Sequence, residues 1–214
     1  MIKLKKIISK RVDKKLLSDK TKEELKRFFE GLIEPVTLIL DKDNSALSQN
    51  TQDLLVDISN LSEKISFKLN SLDCLDKPCI AINSNKDFGI RYMGIPSGGE
   101  FQVFIETIKM VSTNSYDLSQ RTLEILEMLD KPVDIKVFIT KSCGWCPLML
   151  KKMYSFALAS DYIKTHAVDC SDFKELAIKY NVLTVPKVII NDKVEFVGFK
   201  DENEILGNIM YAGM

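Results

Sequence analysis

Several kinds of site have little to be built from in this chain. His166 is the single histidine in 214 residues. It alternates along an apolar stretch with no cysteine or acid at catalytic spacing, so it reads as satisfied or solvent-facing. Lys and Arg number 30 and Asp and Glu 30, a net charge of zero, which removes any general electrostatic case for nucleic acid. No apolar run reaches transmembrane length and no signal-peptide core is present. The expectation is a cytoplasmic protein that uses no membrane. A Gly-x-Gly-x-x-Gly dinucleotide fingerprint is also missing. The five cysteines are too few and too scattered for a disulfide framework; in a reducing compartment they point to redox or metal chemistry. Their odd number leaves one thiol unpaired in a monomer. What is plentiful is apolar residue, 45% of the chain, ample for the core of one or two domains.

The strongest functional signal is Cys143-Gly144-Trp145-Cys146. An extended apolar run, Val133 to Thr140, precedes it. A helical pattern carrying Leu148, Met149, Met153, Phe156 and Ala157 follows. The motif therefore sits at a strand-to-helix turn, where unpaired N–H groups and the helix dipole favour a thiolate. A free thiol titrates near about 8.5 and is mostly protonated at neutral pH, while the thiolate is the species that attacks disulfides. Cys143, at the exposed start, is the expected nucleophile; Cys146, nearly one turn later, is the expected resolving thiol. A structural zinc site would need two further ligands. Only Cys74, Cys79 and His166 are on offer, far away in sequence, so no metal is expected. Gly144 permits close approach of a partner, and Pro147 suits a first helical turn. Trp145, the only tryptophan, is expected to be exposed and to contact a partner rather than merely fill the loop.

Along the chain, residues 1–17 are Lys-rich with Met1, Leu4, Ile8, Val12 and Leu16 at helical spacing, read as a terminal helix with a solvated basic face. Thr21-x-x-Glu24 is a capping box opening a helix. A strand over Val36–Leu40, a helix over Ser45–Leu61, and strands at Ile65–Leu69, Cys79–Asn83 and Phe88–Met93 follow. Ser97-x-x-Glu100 reads as a second capping box, and Ser112–Ser115 as a linker. Beyond it come a helix over Asp117–Leu129, the strand into Cys143, strands at Tyr162–Val168, Lys187–Ile190 and Val194–Gly198, and helices after Ser171 and Asp201. The organisation expected is an N-terminal extension over 1–20 and two domains over 21–112 and 113–214.

Those two domains repeat each other. Pro35-Val36 matches Pro132-Val133, and Pro78 to Asn83 matches Pro186 to Asn191 in register. Ser45-x-x-Ser48 then falls on Cys143-x-x-Cys146, so the first copy has two hydroxyls in place of two thiols. The first copy is also about ten residues shorter before its proline, a deficit that matches the helix around Ser171–Tyr180. Strand, helix, strand, then a hairpin and a closing helix, with right-handed crossovers, implies an α/β fold of two tandem thioredoxin-like domains.

Cys143-x-x-Cys146-Pro147 with Thr184-Val185-Pro186 downstream resembles thioredoxins and glutaredoxins. Glu34-Pro35-Val36-Thr37-Leu38, Ser45-x-x-Ser48, Ser71-Leu72 before Lys77-Pro78, and Gly94-x-Pro96-x-Gly98-x-Glu100-Phe101 resemble the N-terminal region of the alkyl hydroperoxide reductase flavoprotein. Archaeal tandem protein disulfide oxidoreductases look similar but usually keep a first Cys-x-x-Cys. The resemblance implies a disulfide oxidoreductase that binds no cofactor of its own. It would take electrons from a flavoprotein disulfide reductase, here acting in trans, and pass them to a peroxiredoxin or another protein disulfide. It also implies a cis bond between Val185 and Pro186 facing the dithiol, and a Glu100 near the dithiol with a raised pKa, able to relay a proton to Cys146. Val137 occupies the strand position where thioredoxins carry a buried acid. Alternative readings are a protein disulfide oxidase or isomerase and a non-enzymatic tandem adaptor. A glutathione-dependent glutaredoxin is weaker, since Gly198-Phe199 stands where that family has Gly-Gly. Cys170 is read as a half-buried small residue, and a Cys74–Cys79 bridge is not expected in a reducing compartment.

Overall fold

The structure, a computed structural model, describes residues 16–214. The expected basic helix of residues 1–17, with the extension over 1–20, lies almost entirely outside the described residues.

The first repeat comprises α1 (Asp19–Phe29), β1 (Val36–Asp41), α2 (Ala46–Ser59), β2 (Ile65–Leu69), β3 (Cys79–Asn83), β4 (Ile90–Met93) and α3 (Gly99–Thr113). The second comprises α4 (Gln120–Leu126), β5 (Val133–Ile139), α5 (Cys146–Ala159), β6 (Ile163–Asp169), α6 (Lys174–Lys179), β7 (Lys187–Ile190), β8 (Val194–Val197) and α7 (Glu202–Gly213). In each repeat the first strand pairs parallel with the second and antiparallel with the third, and the third and fourth form a hairpin. The two sets join through parallel pairing of β4 with β6, Arg91 beside His166 and Tyr92 beside Ala167. One continuous sheet results, in the order β2-β1-β3-β4-β6-β5-β7-β8.

Burial explains the placement of the strands. β5 sits well inside the sheet and reads as a nearly continuous apolar run, buried from both sides. Its alternation sends Val137 and Ile139 into the main core with α2, α3, α5 and α7, while Phe138 points to the other face. There Phe138 joins Cys79, Met93, Val168, Phe173 and Ile189 in a smaller cluster against which Leu176 of α6 packs. The first repeat has no counterpart of α6: a loop runs directly from β2 to β3, as the length deficit implied.

The helix starts differ from the sequence expectation. Ser18, not Thr21, caps α1, its hydroxyl accepting the Thr21 N–H at 3.1 Å. Ser97 does not cap α3. The loop turns through positive φ at Gly94 and Gly98, so the helix begins at Gly99 behind a Gly98 that has no side-chain bond to give. The helix before β5 is shorter than expected and starts behind Ser119. Ser112 belongs to α3 rather than to a linker. Its buried hydroxyl accepts the Ile33 N–H at 2.9 Å and donates to the Glu34 carbonyl at 2.6 Å, tying the end of α3 to the entry of β1.

Candidate dithiol site

The β5–α5 turn carries the reactive pair. Cys143 and Cys146 form a disulfide, with Cys143 half-buried and Cys146 fully buried. Cys146 N donates to Cys143 Sγ at 3.1 Å. A sulfur that already accepts a helix N-terminal amide is placed to be stabilised as a thiolate when the bond opens. Pro147 occupies the first turn of α5, where its missing N–H leaves no orphan. Gly144 has open space where a Cβ would stand.

Trp145 is 61% exposed, and its ring lies 6.1 Å from that of Phe199, itself exposed. Phe199 follows Gly198, whose positive φ turns the chain out of β8. In the sequence Gly198-Phe199 spoke only against glutathione; its place beside Trp145 is a tertiary fact. The Val185–Pro186 bond is cis, and Phe138 pairs with Lys187, which puts Val185 level with the strand end that feeds the cysteines. The Lys77–Pro78 bond of the first repeat is cis as well.

A polar cluster gathers around the start of α3. Glu100, in the first turn of α3, is 1% exposed, and neither of its carboxylate oxygens has a hydrogen-bond partner. The expected capping role is therefore not what holds it. Gly99, just before it, packs so closely on Pro147 that an added Cβ would lie 2.9 Å from Pro147 Cγ. This contact brings the start of α3 against the start of α5. Burial raises the Glu100 pKa, and the neighbouring Asp169 carboxylate raises it further. Tyr92 Oη is also buried without a hydrogen-bond partner, Asp169 Oδ2 is buried with only an ion-pair partner, and both residues lie within electrostatic reach of Glu100. Lys141 Nζ stands 3.3 Å from Asp169 Oδ2 and 3.0 Å from Asp172 Oδ1, closing the cluster. Burial works against the Lys141 charge, but these two carboxylates outweigh it and raise its pKa. Val137 is buried and apolar, and the buried acids of this cluster, Glu100 and Asp169, come from α3 and β6. Tyr92, Asp169 and Lys141 escaped sequence reasoning because three separate segments supply them.

The first repeat reproduces one bond of this turn without the sulfur. Ser48 N donates to Ser45 Oγ at 3.1 Å, matching the bond from Cys146 to Cys143. Ser48, fully buried as Cys146 is, donates its hydroxyl to Asp43, whose pKa is lowered to about 2 by hydrogen bonds from Ser45 and Ser48. A closed hydrogen-bond knot thus occupies the place of a dithiol.

The remaining candidates lie elsewhere. His166 is buried, with Nε2 3.0 Å from Asp134 Oδ2, and its Nδ1 has no partner. Cys170 is the free thiol among the described residues. The expectation against a Cys74–Cys79 bridge is overturned: the two are disulfide-bonded. Asp41 gathers both ends of their loop, accepting from Leu72 N at 3.0 Å and pairing with Lys77 Nζ at 2.7 Å. No cluster of metal-ligating side chains occurs among the described residues. No helix among the described residues is long and apolar enough to cross a membrane.

Residues 133–210 match a thioredoxin domain family. The alkyl hydroperoxide reductase AhpF of Escherichia coli (strain K12) is 29% identical over 195 residues, 91% of this chain but 37% of that protein; the chain thus spans little more than a third of its relative's length. The NTD_N/C domain of alkyl hydroperoxide reductase AhpF from Enterococcus faecalis superposes with a TM-score of 0.81 at 22% identity, over 90% of this chain and 99% of that one. A protein disulfide oxidoreductase from Aeropyrum pernix superposes with a TM-score of 0.81 at 24% identity, over 92% and 93%. Over nine tenths of its length the chain is similar to part of alkyl hydroperoxide reductase AhpF, and it shares the fold of that protein's NTD_N/C domain, with Cys143 and Cys146 disulfide-bonded in the second thioredoxin-like repeat.

Proposed function

We propose that the chain is a cytoplasmic dithiol shuttle that takes electrons from a flavoprotein disulfide reductase acting in trans and delivers them to the disulfide of a peroxiredoxin. The observation that carries this reading is the asymmetry of one pair. Cys143 is accessible and accepts a helix amide, while Cys146 is shut in the core beside it. The similarity to relatives named alkyl hydroperoxide reductase supports a partner in peroxide reduction.

The steps balance as ordinary thiol-disulfide exchange. The Cys143 thiolate attacks one sulfur of the target disulfide, that S–S bond breaks, and the second target sulfur leaves as a thiolate. Cys146 gives up its proton, attacks Cys143 Sγ, and releases the target as a dithiol. The chain is left with the Cys143–Cys146 disulfide, which a reductase dithiol reopens with two electrons. Glu100 takes the Cys146 proton. Val185, beside its cis proline, offers backbone groups to the incoming chain, and Trp145 with Phe199 supplies an exposed aromatic surface next to the reactive sulfur. The first repeat, with Ser45 and Ser48 knotted to Asp43, serves as scaffold and docking surface.

Mixing the reduced chain with disulfide-form peroxiredoxin tests the proposal. Cys146→Ser should trap a covalent one-to-one mixed disulfide through Cys143, and Trp145→Ala should slow its formation. Turnover retained by Cys143→Ser would sink the assignment. Stoichiometric capture without turnover would favour an adaptor. A midpoint potential near about −180 mV, rather than thioredoxin's about −270 mV, would favour an oxidase or isomerase.

A further inference from the structure

Cys74 and Cys79 are bridged across a loop at a sequence separation of 5. Cys74 is half-buried and Cys79 is fully buried, so the pair has one sulfur open to attack and one shielded, the same division as in Cys143 and Cys146. The bond is not needed to hold the loop. Asp41 clamps Leu72 and Lys77, Asp73 pairs with Lys164 at 2.7 Å, and Leu72 packs into the smaller apolar cluster. On the far side Cys79 is fixed in β3, opposite Asp41 and Met93. Closing so short a ring also removes little chain entropy. Opening the bond would therefore leave both sulfurs held near each other, the condition for closing it again.

We propose that Cys74–Cys79 is a second reversible dithiol–disulfide couple, opened at Cys74 by an incoming dithiol and independent of the Cys143–Cys146 pair. The thiolate of the dithiol attacks Cys74 Sγ, the Cys74–Cys79 bond breaks, and Cys79 leaves as a thiolate and takes up a proton. The second thiol of the reagent then loses its proton and attacks its own mixed-disulfide sulfur. It leaves as a cyclic disulfide, and Cys74 is released as a thiol; two electrons and two protons have entered the protein. Cys170 packs on the same cluster, and burial pushes its thiol up to about 11, so at neutral pH it stays protonated and does not intrude. The couple stands where the second repeat has α6, in the repeat whose dithiol position holds only hydroxyls.

Differential alkylation of the wild-type chain, equilibrated in dithiothreitol buffers graded from oxidised to reduced and read by peptide mass spectrometry, resolves the two pairs separately. Cys74 and Cys79 should change label together, from under about a tenth to over about nine tenths, in one transition of the folded chain that reverses on reoxidation. Cys74→Ser should abolish the Cys79 transition and leave that of Cys143 and Cys146 in place. A pair that stays bridged until the chain unfolds would mark a permanent staple and overturn the proposal. So would free thiols at the oxidised end, or failure to close again. If Cys74→Ser does not fold, the wild-type map alone decides. The Cys143–Cys146 transition is read in the same map, so failure of one couple is not confused with failure of the other.

Discussion

Cys143 Sγ accepts the backbone N–H of Cys146 at 3.1 Å. The bond stabilises a charged sulfur more than a neutral one, since hydrogen bonds to ions are the stronger kind. In the reduced protein Cys143 should therefore titrate below the ordinary thiol value of about 8.5. The rate of alkylation against pH, followed on the Cys146→Ser variant, which keeps the amide, measures this directly. A midpoint at or above about 8.5 would show that the amide does not act on the thiolate.

The same bond joins Ser48 to Ser45 in the first repeat. Replacing both, Ser45→Cys with Ser48→Cys, should create a third disulfide, because the same amide bond already brings the side chain of position 45 to the backbone of position 48. Thiol counting under denaturing conditions, before and after reduction, should rise by two thiols released per chain relative to wild type. Two permanently free thiols would show that the first repeat differs in more than its side chains.

Glu100 carries a testable sign. Burial keeps its proton on to higher pH in the folded chain than in the unfolded chain, where the ordinary value is 4.5. The folded state thus binds more protons, and stability falls as pH rises from the ordinary value through the raised one. The loss is on the order of 1 kcal/mol for each tenfold gain in proton affinity on folding. Glu100→Gln should flatten this slope in denaturant titrations run from about pH 4 to about pH 9. It should also move the pH profile of mixed-disulfide resolution by Cys146. An unchanged resolution profile would remove Glu100 from the proton path.

Ser112 supplies both halves of a bridge between α3 and the entry of β1. Ser112→Ala leaves the Ile33 N–H and the Glu34 carbonyl short of a partner and should cost about 1–3 kcal/mol, measured by urea unfolding. The dithiol potential should not move. A loss under about 0.5 kcal/mol would show that water or backbone adjustment replaces the hydroxyl.

Legibility followed the range of the interactions. The reactive pair, its strand-to-helix turn and the doubled pattern of strands were readable because each rests on residues close in sequence. Apolar alternation, a proline and two cysteines three apart carry that information locally. Caps were read less well. Ser97 and Glu100 have the spacing of a capping box, yet the positive φ at Gly98 starts the helix later and turns Glu100 inward. Ser112 looked like linker because small polar residues cluster there, and only its two long-range bonds show that it is a brace.

By itself the amino-acid sequence determined the repeat, the hydroxyls that stand in place of sulfur in the first copy, and the pairing of Cys143 with Cys146 at a strand-to-helix turn. All of these depend on residue type and short spacing. Tertiary structure decided what distant segments do to one another. It ran β4 alongside β6 and merged two repeats into one sheet. It also set Gly99 against Pro147, bringing the start of α3, with its buried Glu100, against the start of α5. The Cys74–Cys79 bridge belongs here too. Sequence separation allowed it, and the expectation of a reducing compartment opposed it. Asp41, holding Leu72 and Lys77 from a different strand, brings the two ends of that loop together.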